Sequence, residues 1–248
     1  MRADATLVQL RPRPMYEAAD LGVRLVQASA WPLVRCVLPV WVVLTLLCLA
    51  LQPLAWWAPS LALWWAKPWL DRSLLFVLAR AVFRQDSRFA DLWAAQRSVW
   101  WQYLMPTLTV QRLLPWRNVT QAAQQLEGFK GRALGRRRGV LLRGHHGAGL
   151  AVCGAFVHLE LAVSFGLPSL LVWLHPGGPA GNPFAWMVSD DPVYHLLSTL
   201  VYALAIGLME PFFVGAGFAM YLNRRVEIEA WDVEQSMRHA FAPPHATP

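Results

Sequence analysis

The feature that most constrains this chain is its last apolar run, His195 to Leu222, followed directly by the charged block NRRVEIEAWDVEQSMRHAF. The hydrocarbon core of a bilayer takes about 20 apolar residues of helix, and HLLSTLVYALAIGLMEPFFVGAGFAMYL is long enough to supply them. Glu210-Pro211 interrupts the run near its middle, and Asn223-Arg224-Arg225 ends it abruptly. Comparable runs occupy 36–51, 54–79 and 149–174, and they are too long and too poor in charge for the core helices of a soluble domain. The expected fold class is all-α: a polytopic membrane protein with about four transmembrane helices plus amphipathic interfacial and cytoplasmic helices.

Charge gives the expected orientation. The net charge of +7 would suggest nucleic acid as a partner for a soluble chain, but here the basic residues cluster beside apolar runs. Segment 117–143 holds Lys130, Arg132, Arg136, Arg137, Arg138 and Arg143 against the acid Glu127, whereas the loop HPGGPAGNPFAWMVSDDP has no Lys or Arg. This asymmetry places 117–143 and both termini in the cytoplasm, and 176–192 outside a bacterial inner membrane. The first run begins only after Trp31, behind neither a short basic start nor a small-residue cleavage site, so it is expected to remain as an anchor. Cys36, Cys48 and Cys153 lie in or beside apolar runs without metal-ligand spacing and read as buried free thiols.

The chain divides into five regions. Residues 1–34 form a flexible arm and an amphipathic helix, which suits either the membrane surface or packing on protein. Residues 35–83 form a first transmembrane hairpin, with Gln52-Pro53 at its turn. Within it, 54–83 reads as one helix kinked at Pro68 with a Lys67–Asp71 pair, or as a short hairpin plus a surface helix. Residues 84–146 form a basic cytoplasmic and interfacial region, in which 98–116 lies at the interface so that its basic flanks share one side. Residues 147–222 form a second transmembrane hairpin, and 223–248 a cytoplasmic amphipathic helix and tail.

Three groups of residues stand out. Glu210 lies about 18 Å inside its run, and His158 and Glu160 lie about 14–17 Å inside the antiparallel one, by helical rise. The three are read as an intramembrane polar cluster, acting as a clasp that fixes helix packing or, alternatively, as a proton or solute path. Pro211 also leaves the Gly207 carbonyl without its helical donor. Arg136, Arg137 and Arg138 are candidate contacts for anionic lipid headgroups. In the terminal helix, Val226, Ala230, Val233, Met237 and Phe241 share a face, and Glu227, Trp231, Asp232 and Glu234 are candidate partner-docking residues. Glu227 and Glu234 are further expected to attract the Arg136–Arg138 cluster. The GAGFA stretch, with Gly215 and Ala219 four apart, suits close helix packing. No GxSxG, phosphate-loop or HExxH pattern occurs, and the pattern calls for no catalytic residue, metal or cofactor.

Three stretches, RPRPMYEAADLGVR (11–24), WAKPWLDRSLLFVLARAVFR (65–84) and YLNRRVEIEAWDVEQSMR (221–238), together resemble a family of uncharacterised bacterial inner-membrane proteins. That family is related to the membrane domain associated with glycerophosphodiester phosphodiesterases. Some of its members are encoded near MoxR-type chaperones and transglutaminase-like membrane proteins. The resemblance implies membrane topology and carries over no catalytic residue. The function expected is that of a non-catalytic scaffold or accessory subunit docking a partner through its cytoplasmic helices, the alternative being a transporter subunit. Its partners would be membrane lipid and a membrane or cytoplasmic protein, with a homo-oligomer open and nucleic acid not implied.

Overall fold

The structure, a computed structural model, describes residues 11–102, 104–109, 112, 114–174 and 191–229, with 171 and 172 as backbone only. Among these residues all regular structure is helical. The helices are α1 (Met15–Ala28), α2 (Ala30–Leu49), α3 (Ala58–Val82), α4 (Phe89–Ala94), α5 (Leu104–Leu108), α6 (Arg117–Glu127), α7 (Gly131–Leu142), α8 (His146–Leu174) and α9 (Pro192–Glu229), with a π-helical turn at Arg97–Trp101 between α4 and α5. Three of them, α2, α8 over His146–Leu170, and α9, are long and apolar enough to cross a membrane.

α3 falls outside that group because Lys67, Asp71 and Arg72 interrupt its apolar sequence. It is nonetheless one helix, running through Pro68. A mid-helix proline removes one backbone hydrogen bond and tends to kink or break the helix; here α6 lies alongside and braces the stretch. Gln121 donates to the Pro68 carbonyl at 3.3 Å, and Gln125 donates to the Arg72 carbonyl at 2.9 Å. Each pair is four residues apart on its own helix, so one face of α6 is in register with one face of α3. The Lys67–Asp71 pair expected within α3 does not form, since both side chains are drawn to other helices.

α1 and α2 are almost one helix. Ser29 separates them while its N–H still reaches the Leu25 and Val26 carbonyls, and Pro32 sits in the first turn of α2, where a missing N–H costs little. The apolar face of α1 lies on protein: Met15, Ala18, Ala19, Gly22, Leu25 and Val26 are buried, and α1 packs antiparallel along the second half of α9. Asn223 binds both backbone groups of Arg13 at 2.8–2.9 Å and fixes the start of that contact. Farther along, the helix axes approach so closely that a Cβ on Gly22 would lie 2.6 Å from the Ala216 Cα. A Cβ on Gly217 would lie 2.5 Å from the Asn118 backbone of α6. Small residues are therefore obligatory on this stretch of α9, as GAGFA suggests.

α9 is 38 residues long, or about 57 Å, and does not stop at Asn223-Arg224-Arg225. Its first half exposes leucines at every fourth position, Leu196, Leu200, Leu204 and Leu208, while its second half from Glu210 to Val226 is mostly buried by α1, α3, α6 and α7. α8 is covered still less, with 11% of its apolar window buried and Leu159, Leu161, Phe165 and Leu170 exposed. So large a continuous apolar exterior requires lipid rather than water around it. The packed core lies at the other end, where Leu74, Val77, Leu78, Val119, Ala122, Phe218 and Tyr221 meet. Residues 1–10, and with them most of the expected flexible arm, lie outside the described residues.

The glycine contacts give a direct test. Gly22→Ala or Gly217→Ala forces backbone apart and should cost about 1–3 kcal/mol or more. Gly135→Ala on α7, where a Cβ meets nothing within 4 Å, should be neutral or stabilising by roughly 0.5–1 kcal/mol. Thermal unfolding in detergent reads the difference; equal melting temperatures for all variants would refute the close crossing.

Candidate functional site

The candidate site is a group of ionisable side chains at the junction of α3, α6, α8 and α9. Glu210, 2% exposed, accepts from two cations: its Oε2 lies 2.8 Å from Lys67 Nζ, and its Oε1 lies 2.7 Å from Arg117 Nη2. Lys67 also bonds Glu160 of α8, and Arg117 lies 3.5 Å from Asp71 of α3. The Arg117 guanidinium additionally covers the Phe213 ring, 5.1 Å from its centroid. Each cation thus bridges two carboxylates from different helices. The two glutamates do not share a proton directly, because the lysine ammonium stands between them.

The sequence-predicted trio divides. Glu160 and Glu210 meet on one cation, whereas His158 points away, exposed, with its Nδ1 2.7 Å from the Gly154 carbonyl one turn back on its own helix. Two residues apart on a helix face nearly opposite directions, so when Glu160 turns inward His158 turns out. Sequence reading missed Lys67, Asp71 and Arg117. Lys67 and Asp71 read as a pair in one of the two parses of 54–83, and Arg117 opens the predominantly basic segment 117–143. The available signal was the rule that an ionisable group inside an apolar run needs a partner, which applies to Lys67 as much as to Glu210.

A cleft of about 690 Å³ opens above the cluster, between the first half of α3 and the facing parts of α8 and α9. Its floor includes Lys67, Arg117, Glu160 and Glu210, and its walls include Trp64, Phe156, Phe165 and Tyr202. His195 stacks on Trp56 at its far end, ring centroids 5.0 Å apart. Arg112 reaches the cleft from the segment between α5 and α6, and its guanidinium lies 3.7 Å from the centroid of the Trp64 ring.

A second ionic group ties down the end of α9. Arg137 donates to Glu127 at 2.6 and 2.8 Å and to Glu229 at 2.5 Å, and Tyr221 donates to Glu127 at 2.6 Å. The hydrogen bond to the Glu127 carboxylate raises the Arg137 pKa above the ordinary arginine value, so the guanidinium stays charged throughout the physiological range. Of the three arginines assigned to headgroups, Arg136 is exposed, Arg137 is committed to these acids, and Arg138 is half-buried. Glu227 accepts from Asn223 at 2.8 Å and from Arg224, within its own helix. The expected attraction of Glu227 to the arginine cluster is made instead by Glu229. Trp231, Asp232 and Glu234 lie outside the described residues.

No protein-family model, curated protein or solved structure matches the chain. The chemistry of the cluster therefore carries the reading, and its charge arithmetic is testable. Lys67→Met leaves Glu160 without its cation and facing Glu210, which keeps Arg117, and breaking a buried pair from one side costs about 3–5 kcal/mol. Glu210→Gln leaves Lys67 with Glu160 and Arg117 with Asp71, so it should destabilise less. Melting curves in detergent should rank wild type above Glu210→Gln above Lys67→Met; the reverse order of the two variants would refute the bridging role of Lys67.

Proposed function

We propose that the protein is a four-span integral protein of a bacterial inner membrane, with both termini in the cytoplasm, acting as a non-catalytic scaffold or accessory subunit. α3 serves as the remaining span, its ionisable groups neutralised by α6, α8 and α9. The observation that carries this reading is the internal pairing of the cluster: each carboxylate faces a cation from another helix, as a packing clasp requires. Such a clasp anchors α6 to the spans and holds the basic end as a preformed platform. The chain beyond Glu229, with Trp231, Asp232 and Glu234, is the proposed docking element for a protein partner, and exposed Arg136 is the proposed headgroup contact. The resemblance of three stretches to inner-membrane proteins of the phosphodiesterase-associated kind agrees with this assignment.

Transport remains a second reading, favoured by one observation: Glu160 and Glu210 lie on the floor of an open cleft. Complementation separates the two. A clasp tolerates Glu210→Gln with activity kept, whereas a proton carrier gives a stable, correctly inserted and inactive variant.

Topology is tested by labelling. With Cys36, Cys48 and Cys153 changed to Ala, single cysteines at Leu54 on the α2–α3 turn and at Gly135 on α7 should react with an impermeant thiol reagent from opposite sides of the membrane. Reaction from one side alone would refute the four-span arrangement.

A further inference from the structure

Arg112 differs from the other buried cations. It is 9% exposed, its Nε is buried without a hydrogen-bond partner, and among the described residues the side chain makes no hydrogen bond and no ion pair. Lys67, Arg117 and Arg224, equally buried, are all bonded to carboxylates. A guanidinium carries five N–H donors, and burying it without acceptors is unfavourable by far more than a ring contact returns. Trp64 covers one face of the group, leaving the N–H edge to be satisfied, and the open space beside it is the cleft.

We propose that this cleft binds an amphiphile with one anionic head, a carboxylate or a phosphate, seated on the Arg112 guanidinium with its chain along the aromatic wall. Donor geometry selects the head. The carboxylates on the floor are already engaged by Lys67 and Arg117, while Arg112 offers unused donors in the planar fork that matches carboxylate and phosphate oxygens. The walls select the chain: Trp56, Trp64, Phe156, Phe165 and Met209 present apolar surface, and about 690 Å³ is the size of a small-molecule site. Location selects the source. Trp57 and Phe165 line the cleft and also belong to the exposed apolar exterior, so the cleft opens sideways toward lipid. The proposal relies on the four-span reading only for this lateral access; binding in detergent tests the Arg112 site independently of topology.

Quenching of tryptophan fluorescence by brominated amphiphiles provides the experiment. Purified protein in a neutral detergent is titrated with dibromostearate, its methyl ester, and brominated phosphatidylglycerol, each with and without inorganic phosphate. The Trp64→Phe variant identifies the local signal. One of the two anionic amphiphiles should quench Trp64 saturably at a concentration at least about tenfold below that of the ester, and which one does so distinguishes a free acid from a phospholipid. Competition by inorganic phosphate would show that the head alone suffices. Arg112→Gln should remove the tenfold advantage, Arg112→Lys should keep part of it, and Arg132→Gln, at an exposed arginine of α7, should leave it unchanged. Equal quenching by acid, phospholipid and ester in the wild type overturns the proposal, and so does an advantage that survives Arg112→Gln. If Arg112→Gln does not fold, the comparison of anionic and neutral amphiphiles in the wild type still decides.

Discussion

Glu210 sits in an apolar helix with Lys67 at 2.8 Å on one side and Arg117 at 2.7 Å on the other. In such surroundings a lone carboxylate is unfavourable by several kcal/mol, and so is either cation alone. Together with Glu160 and Asp71 they form a chain of alternating sign that draws α3, α6, α8 and α9 to one point. A hydrophobic driving force between helices is nearly absent in lipid, so polar contacts and close backbone approach must fix the arrangement. The cluster supplies the first, and the Gly22–Ala216 and Gly217–Asn118 crossings supply the second. Both lie on α9 within a few turns of one another.

Much of the architecture is legible in the sequence because the apolar runs are long and their ends are charged. α2, α8 and α9 lie where composition puts them, and the continuity of α3 through Pro68 is one of two readings the residues allow. What stays hidden depends on tertiary pairing. Lys67 and Asp71 have helical spacing for each other, and nothing local reveals that stronger partners stand on α6, α8 and α9. Arg117 belongs by composition to a solvated basic segment, yet packing turns it inward as the first residue of α6. The charge run that follows it contributes differently at each position: Arg137 ties the end of α9, while Arg136 faces out. The boundary at Asn223 misleads for a related reason. Two arginines after an apolar run normally mark water, but here α1 and α7 cover Asn223 and Arg224 and the helix continues through them.

The structure separates two kinds of surface along one axis. From Val193 to Leu208, α9 presents leucines to an apolar exterior, and α8 exposes Leu150, Val157, Leu159, Leu161, Phe165 and Leu170 while Val152, Cys153 and Phe156 pack on the core. From Glu210 onward α9 is the centre of a protein core. The ion cluster sits at the change from one regime to the other, and the cleft beside it is lined in part by exposed apolar residues such as Trp57 and Phe165. A site placed there has fixed charges below it and an apolar phase beside it, a combination that a purely soluble or a purely lipid-embedded bundle does not offer.

Synthesis proceeds from the amino terminus, and this gives the position of Glu210 in the chain a meaning of its own. Lys67 and Arg117 are made long before α9, and Glu160 precedes it by one helix. Until α9 threads into place, Lys67 and Arg117 are cations whose central counter-charge has not yet been translated. α6 has no groove to lie in, and α1 has no Gly215–Gly217 surface to rest on. The arrival of α9 therefore closes the ion cluster and both close crossings at once. A chain cut short before Glu210 lacks the carboxylate that Lys67 and Arg117 share, and the glycine surface on which α1 and α6 close.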